Sequence, residues 1–212
     1  MSRSPGSRTK VGILISGTGS NLEALIRAAQ ADDCPYEVAL VVSNRPDAVG
    51  LDRARALGVE AVTIDHAPFG KDREAHERAL DGALRQAGCA YIALAGYMRV
   101  LTPFLVQGWA GRMINIHPSL LPRHPGLDTH RKAIEAGDAE AGCSVHLVTV
   151  GVDEGPVLAQ ARLPIRPGET PETLAERVLA EEHRLYPAAL SAYVARSPSG
   201  LPSDPAPRSA PE

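Results

Sequence analysis

Asn115 and His117 stand two apart in INIHPSLLPRHPG (residues 114–126), at the close of an apolar run and just before a stretch stiffened by prolines. On a β-strand, residues two apart share a face. The amide and the imidazole therefore project together, while Ile116 turns to the opposite side and into the core. An amide can donate N–H bonds to an oxygen that is gaining negative charge, and an imidazole gives or takes a proton near neutral pH. The pair suits addition to a carbonyl. Downstream, GVDEGP places Asp153 on a glycine-bounded turn. A carboxylate beside a histidine favours the imidazolium and fixes its orientation, which a general acid working near neutrality needs. Upstream, SGTGSN (residues 16–21) lies between a short apolar run and a helical pattern. Backbone N–H groups of such a loop, with the Ser20 and Asn21 side chains and the positive end of the helix, make an anion site suited to phosphate.

Each signal alone has a structural alternative. The loop could be a tight strand-to-helix turn with Ser or Asn as helix cap. Asn115 and His117 could satisfy backbone groups at a strand end, and Asp153 could be a solvated turn residue. The loop has Leu22 where a dinucleotide fingerprint has its third glycine, and it lacks the GK[ST] of a P-loop. In SNRPD, after the second strand, no acidic residue follows the strand directly to hold an adenine ribose, Asp47 coming later. A monophosphate is the better fit.

The elements that must position these residues follow from periodicity. KVGILIS (residues 10–16) is a nearly all-apolar, β-branched run, as expected of a parallel strand covered on both faces. NLEALIRAAQ follows, with Leu22, Leu25, Ile26 and Ala29 on one helical face. A strand EVALVVSN, a helix near GLDRARALG, a strand EAVTI, a helix over 71–86 and a strand YIALAG come next. This alternation predicts an α/β fold: a mostly parallel twisted sheet with helices on both faces and right-handed crossovers, Rossmann-like in its N-terminal half. Thr102 caps and Pro103 starts a further helix, and RMINIH is the next strand, with Asn115 and His117 at its carboxyl end, where open α/β sheets hold ligands. CSVHLVTV and GPVLAQARLPI, joined by the GVDEG turn, read as a late antiparallel pair, and a last helix opens at Thr170 and Pro171. One domain over 10–196 is expected, flanked by a disordered tail at 1–9 and a Pro/Ser-rich disordered tail at 197–212.

Composition narrows the partners. With 212 residues, 44% hydrophobic and 22% charged, the chain can bury a sizeable core. A net charge of −3 without a basic run argues against nucleic acid and for small molecules. No apolar run approaches the ~20 residues of a membrane span, and MSRSPGSRTK lacks the apolar segment of a signal peptide, so a cytoplasmic protein is expected. Cys34, Cys89 and Cys143 are odd in number and show no CxxC spacing, which fits reduced thiols.

LISGTGSNLEALI, LAGYMRVLTP, INIHPSLLPRHPGLDTHRKAI, GCSVHLVTVGVDEGPVLAQ and AERVLAEEHRLYP together resemble the phosphoribosylglycinamide formyltransferase family, over about residues 11–193. NIHPSLLP followed by VDEGP is specific for the wider group that uses 10-formyltetrahydrofolate, and the early SGTGSN loop selects this branch. The resemblance implies formyl transfer from 10-formyltetrahydrofolate to the amine of glycinamide ribonucleotide in purine biosynthesis. It implies a direct transfer, without a covalent enzyme intermediate or a metal. It implies Asn115, His117 and Asp153 as the catalytic trio. It also implies Gly19, Ser20 and Asn21 as the phosphate cradle, and Glu182 as the group reaching the sugar or glycinamide part. Met98, Arg99, Val100 and Leu101 would form the lip of the folate pocket, with Asn115 among the folate contacts and Arg73 facing the folate's glutamate carboxylate. The VTVGVD loop would close the pocket's other side. Leu179 stands where some relatives carry a polar or basic residue near the phosphate, which leaves more of that task to the loop. A monomer or homodimer is expected.

Rival chemistries lack their signatures. His124, His130 and His146 show no zinc spacing. Cys143 and His146 begin an apolar strand without an oxyanion loop, and Ser119 lies outside any GxSxG elbow and is expected to shape its turn. Ser144 is expected to open the strand opposite the site and bridge Asp153 or water. A formyltetrahydrofolate hydrolase would use the same trio but not the phosphate loop, and would be expected to carry an N-terminal regulatory domain. A methionyl-tRNA formyltransferase would be expected to carry a basic C-terminal domain. A non-catalytic folate or sugar-phosphate sensor has no use for a proton donor beside an oxyanion site.

Overall fold

The computed structural model describes residues 8–196. Along the chain run β1 (Thr9–Ile15), α1 (Ser20–Ala29), β2 (Tyr36–Ser43), α2 (Val49–Ala56), β3 (Ala61–Thr63), α3 (Arg73–Gln86) and β4 (Tyr91–Leu94). There follow α4 (Pro103–Gly108), β5 (Met113–His117), α5 (Thr129–Glu135), β6 (Glu140–Leu147), β7 (Val157–Pro164) and α6 (Pro171–Arg196). The seven strands form one sheet in the order β3-β2-β1-β4-β5-β6-β7. The pairs from β3 through β5 are parallel, and β6 and β7 join antiparallel. The alternation of the sequence anticipates this mostly parallel sheet and its late antiparallel strands.

Alternate residues of β1 feed two cores. Val11, Ile13 and Ile15 pack with Leu22, Leu25 and Ile26 of α1, Leu51 of α2 and Val178 of α6. Leu14 points the other way, into a core with Leu80 and Leu84 of α3, Leu105 of α4 and Trp109. A strand buried on both faces has no polar side to alternate with, which is why it reads as a continuous apolar run. Tyr186 of α6 is fully buried, and its hydroxyl serves the carbonyls of Leu94 and Ile114, each at 3.0 Å, tying the helix to the ends of β4 and β5.

The chain winds outward from β1 to β3 and returns to β4 on the other side of β1. The crevice at such a reversal, outside the carboxyl ends of β1 and β4, is where open α/β sheets place ligands. The loop after β1 enters it through Gly19, whose φ of 73° is left-handed and open to glycine at no steric cost. A Cβ there would meet the Gly50 Cα of α2 at 2.8 Å, and the Gly50 amide donates to the Gly17 carbonyl at 3.0 Å. Two glycines thus let the loop lie flat on α2.

Three local readings change. The third helix starts at Arg73, because the Asp72 side chain accepts from the Ala75 amide at 2.9 Å and ends the preceding turn. Thr102 occupies the N-cap position of α4 but does not cap it with its side chain; its hydroxyl donates to Glu77 of α3 instead. The segment between β5 and β6 contains α5, seven residues that periodicity alone does not mark out. Of the expected tails, residues 1–7 and 197–212 lie outside the described residues, while Thr9, expected in the first tail, already opens β1, in register with Tyr36 of β2. Among the described residues no helix is long and apolar enough to cross a membrane.

Candidate active site

β5 delivers Asn115 and His117 to the carboxyl edge of the sheet, with Ile116 buried in the core behind them. The antiparallel pairing of β6 sets His146 directly opposite Asn115 and Ser144 opposite His117. His146 Nδ1 lies 2.9 Å from the Leu147 carbonyl, to which it can only donate. Its Nε2 lies between Asn115 Nδ2 at 3.2 Å and Asp153 Oδ1 at 3.5 Å. Asp153 Oδ2 lies 3.3 Å from His117 Nδ1 and accepts from the Gly126 amide at 2.9 Å. His117 Nε2 is 3.0 Å from the His124 carbonyl. Asn115, His146, Asp153 and His117 thus form one connected polar chain.

The electrostatics differ from the expectation that Asp153 holds His117 protonated near neutrality. Burial pulls the His117 pKa below its ordinary 6.5 and outweighs the opposing pull of the His124 carbonyl and Asp153; His146 and Lys132 lower it further. The ring is therefore a stronger acid than free imidazole, and protonated in a smaller fraction. For Asp153, burial raises the pKa, but the hydrogen bonding with His146, the Gly126 amide and the charge of His117 together hold it below its usual 3.8.

This pattern has a consequence for stability. Burial also lowers the pKa values of His76 and His130, as it does that of His117. Below pH 6.5 the unfolded chain then binds more protons at these positions than the folded chain, so their contribution is present above that pH and is lost as pH falls through the depressed values. Glu182 works oppositely, since burial raises its pKa against the lowering bond from Asn21. With three groups against one, the denaturant midpoint is expected to fall on acidification from pH 7 towards about pH 5.5. A midpoint that rises over that range would contradict this balance.

The loop after β1 lies at the reversal of the sheet. Ser16, just past the end of β1, is a junction: its amide donates to the Gly96 carbonyl at 3.2 Å, its hydroxyl donates to Asn44 Oδ1 at 2.5 Å and accepts from the Met98 amide at 2.8 Å. A cavity of about 580 Å³ opens above, walled by residues 16–21 on one side and by Asn44, Arg45, His66 and Arg99 on others. Asn21 lines this cavity as well, and its amide also has a partner inside the protein. Asn21 Nδ2 donates to Glu182 Oε2 at 2.6 Å, so α6 and the loop are locked together. Asp47 is engaged by Arg45 at 2.8 Å.

The residues after β4 form a rim. Met98 and Val100 are exposed apolar side chains, as are Val150 and Val152 on the loop before Asp153. Arg73 of α3 reaches the rim, its Nη1 3.4 Å from the Val100 carbonyl. Glu77, buried one turn further along α3, accepts from the Thr102 amide at 2.8 Å and from its hydroxyl, and so fixes the rim's far end.

Two residues depart from what their sequence context suggests. His146, given no role there, joins Asn115 to Asp153, and only the strand register could have revealed it. Ser144 does not reach Asp153. Its hydroxyl donates to the Ser119 carbonyl at 2.6 Å and accepts from the Leu121 amide at 3.0 Å, as required of a fully buried group among backbone partners. Ser119 does shape its turn, donating to the Arg123 carbonyl at 2.7 Å.

Residues 9–190 match the family described as Formyl transferase. The chain is 45% identical to the phosphoribosylglycinamide formyltransferase of Escherichia coli, over 84% of each chain. It is also 45% identical to part of the trifunctional purine biosynthetic protein adenosine-3 of Drosophila melanogaster, where the match covers 88% of this chain but 14% of that protein's length. Among solved structures, the phosphoribosylglycinamide formyltransferase of Brucella melitensis is 51% identical with a TM-score of 0.85, covering 90% of this chain and 98% of that one.

Proposed function

The chain belongs to the formyl transferase family, and from that premise we propose that it moves the formyl group of 10-formyltetrahydrofolate onto the amine of glycinamide ribonucleotide, a step of purine biosynthesis. The observation that carries the reading is the His117–Asp153 pair at 3.3 Å, joined through His146 to the Asn115 amide at the carboxyl edge of the sheet.

On this reading Gly19, Ser20 and Asn21 hold the substrate phosphate, with backbone amides at the start of α1 supplying the donors. Leu179 offers no charge there, so these amides carry most of the task. Glu182, which accepts from Asn21, reads the sugar or glycinamide part. Met98, Arg99, Val100 and Leu101 line the folate side, and Arg73 beside the Val100 carbonyl meets the folate's glutamate carboxylate. The substrate amine attacks the formyl carbon. Asn115 and the Nδ1–H of His117 hold the oxyanion that develops, Asn115 lying against the folate as well; because Nε2 stays on the His124 carbonyl, Nδ1, beside Asp153, supplies the proton for the departing nitrogen directly or through one water. Asp153 orients the imidazole and offsets its charge. Holding two reactants in adjoining pockets can supply up to roughly 7 to 11 kcal/mol of the barrier, so much of the acceleration comes from positioning.

The test follows both products. With 10-formyltetrahydrofolate and glycinamide ribonucleotide together, formylated ribonucleotide accumulates in step with tetrahydrofolate. With the folate alone, formate release is expected to be negligible, and release at the full rate without the ribonucleotide would replace the transferase reading with a hydrolase.

A further inference from the structure

The segment from Arg123 to Gly126 gives one backbone group to each member of the His117–Asp153 pair. The His124 carbonyl accepts from His117 Nε2 at 3.0 Å, and the Gly126 amide donates to Asp153 Oδ2 at 2.9 Å. Two residues of one loop therefore fix how the imidazole and the carboxylate meet. The loop holds its shape against a local preference: His124 has a φ of 51°, a left-handed conformation uncommon for a residue with a side chain. His124 Nε2 donates to Asp138 Oδ2 at 2.8 Å, both side chains mostly buried. Asp138 is itself held at the end of α5, where its amide donates to the Ala133 carbonyl at 3.1 Å. The Ser119 hydroxyl secures the Arg123 carbonyl from the other side.

We propose that His124 and Asp138 are positioning residues for the transfer reaction, a second histidine–carboxylate pair that sets the geometry of the first through the backbone. The proposal rests on the formyl transfer reading of the site. Neither side chain is placed at the cradle or the rim, so losing the clamp should leave substrate binding alone and misalign the proton donor. A misplacement of this kind costs about tenfold to a hundredfold in rate.

Four variants test it. Asp138→Ala and His124→Gly both remove the clamp, the glycine keeping the left-handed backbone permissible. Asp138→Asn keeps an acceptor for His124 Nε2, and His124→Gln keeps a donor near the same place. Removing the clamp is expected to lower kcat about tenfold or more, with both KM values within about twofold, and the conservative variants to stay near the parent protein. The double variant Asp138→Ala with His124→Gly should lose no more than either single one, since both break the His124–Asp138 contact and the other partner of Asp138, Arg123 at 3.8 Å, is an exposed guanidinium whose pairing is worth little. An unchanged kcat in His124→Gly, a rise in both KM values with kcat intact, or failure of Asp138→Asn to restore what Asp138→Ala loses would each overturn the proposal. His124→Gly carries the test if Asp138→Ala does not fold. Absence of formylated product from the parent protein would instead fail the transfer reading itself.

Discussion

Asn115→Ala is expected to lower the rate of formyl transfer by about a hundredfold to a thousandfold, or about 3 to 4 kcal/mol of lost transition-state stabilisation. The size follows from how the amide is held. His146, anchored through Nδ1 on the Leu147 carbonyl, holds its Nε2 3.2 Å from Asn115 Nδ2. The amide is thereby fixed before substrate arrives, and a donor already oriented spends nothing on reorganisation when charge develops on oxygen. Because the ground-state carbonyl carries little of that charge, the loss should fall on kcat, with KM changed modestly. Asn115→Asp should be at least as damaging, since it sets a second carboxylate beside Asp153 and against the developing oxyanion. Steady-state rates of formylated product for the two variants check this, and a folded Asn115→Ala protein at full rate would remove Asn115 from the oxyanion role.

Asn115 also shows what a sequence discloses and where it stops. Period-two alternation in MINIH already puts Asn115 and His117 on one face and Ile116 in the core, because side-chain direction in a strand is a local property. The parallel sheet is legible for a similar reason: β1 is apolar throughout because helices cover both its faces. His146 is different. Its position opposite Asn115 depends on the antiparallel register of β6 against β5, a pairing across 31 residues that no local pattern encodes. The misreading of Ser144 has the same origin. It does lie opposite His117, but the buried turn at Ser119 and Leu121 claims its hydroxyl first. Thr102 repeats the lesson on a helix: its type and place spell a cap, and a buried carboxylate from α3 takes the hydroxyl instead. Local rules place side chains on faces, while long-range partners decide which bond each one makes.

The junction at Ser16 extends this from contacts to function. Its amide and hydroxyl bind the loop after β4 and the loop after β2 at once, so the cradle and the rim share one buried residue. A site that must bring an amine and a formyl carbon into register needs its two pockets to keep a fixed separation. The reversal of strand order between β1 and β4 supplies the crevice, and Ser16 closes the connection across it.

Asp153→Asn carries the other large effect, a fall in kcat of about a hundredfold to ten-thousandfold, the usual worth of a positioned acid–base group. The substitution should preserve the fold. Asp153 sits at a left-handed φ of 57°, which asparagine adopts readily, and an amide oxygen can still accept from the Gly126 amide. What disappears is the charge. Asp153 is one of two influences, with the His124 carbonyl, that oppose the burial holding down the His117 pKa. His146 and Lys132 act in the same direction as burial, and the charge of His117 also bears on His130 nearby. Without the carboxylate the His117 pKa falls further, and the protonated ring is populated only at lower pH. The limb of the kcat profile that tracks His117 should therefore move to lower pH in Asp153→Asn, and the variant should recover part of its deficit on acidification. A purely structural carboxylate would instead lower stability and leave the profile in place. The two measurements together, kcat against pH and the unfolding midpoint, separate an orienting and charge-balancing Asp153 from one that only closes a turn.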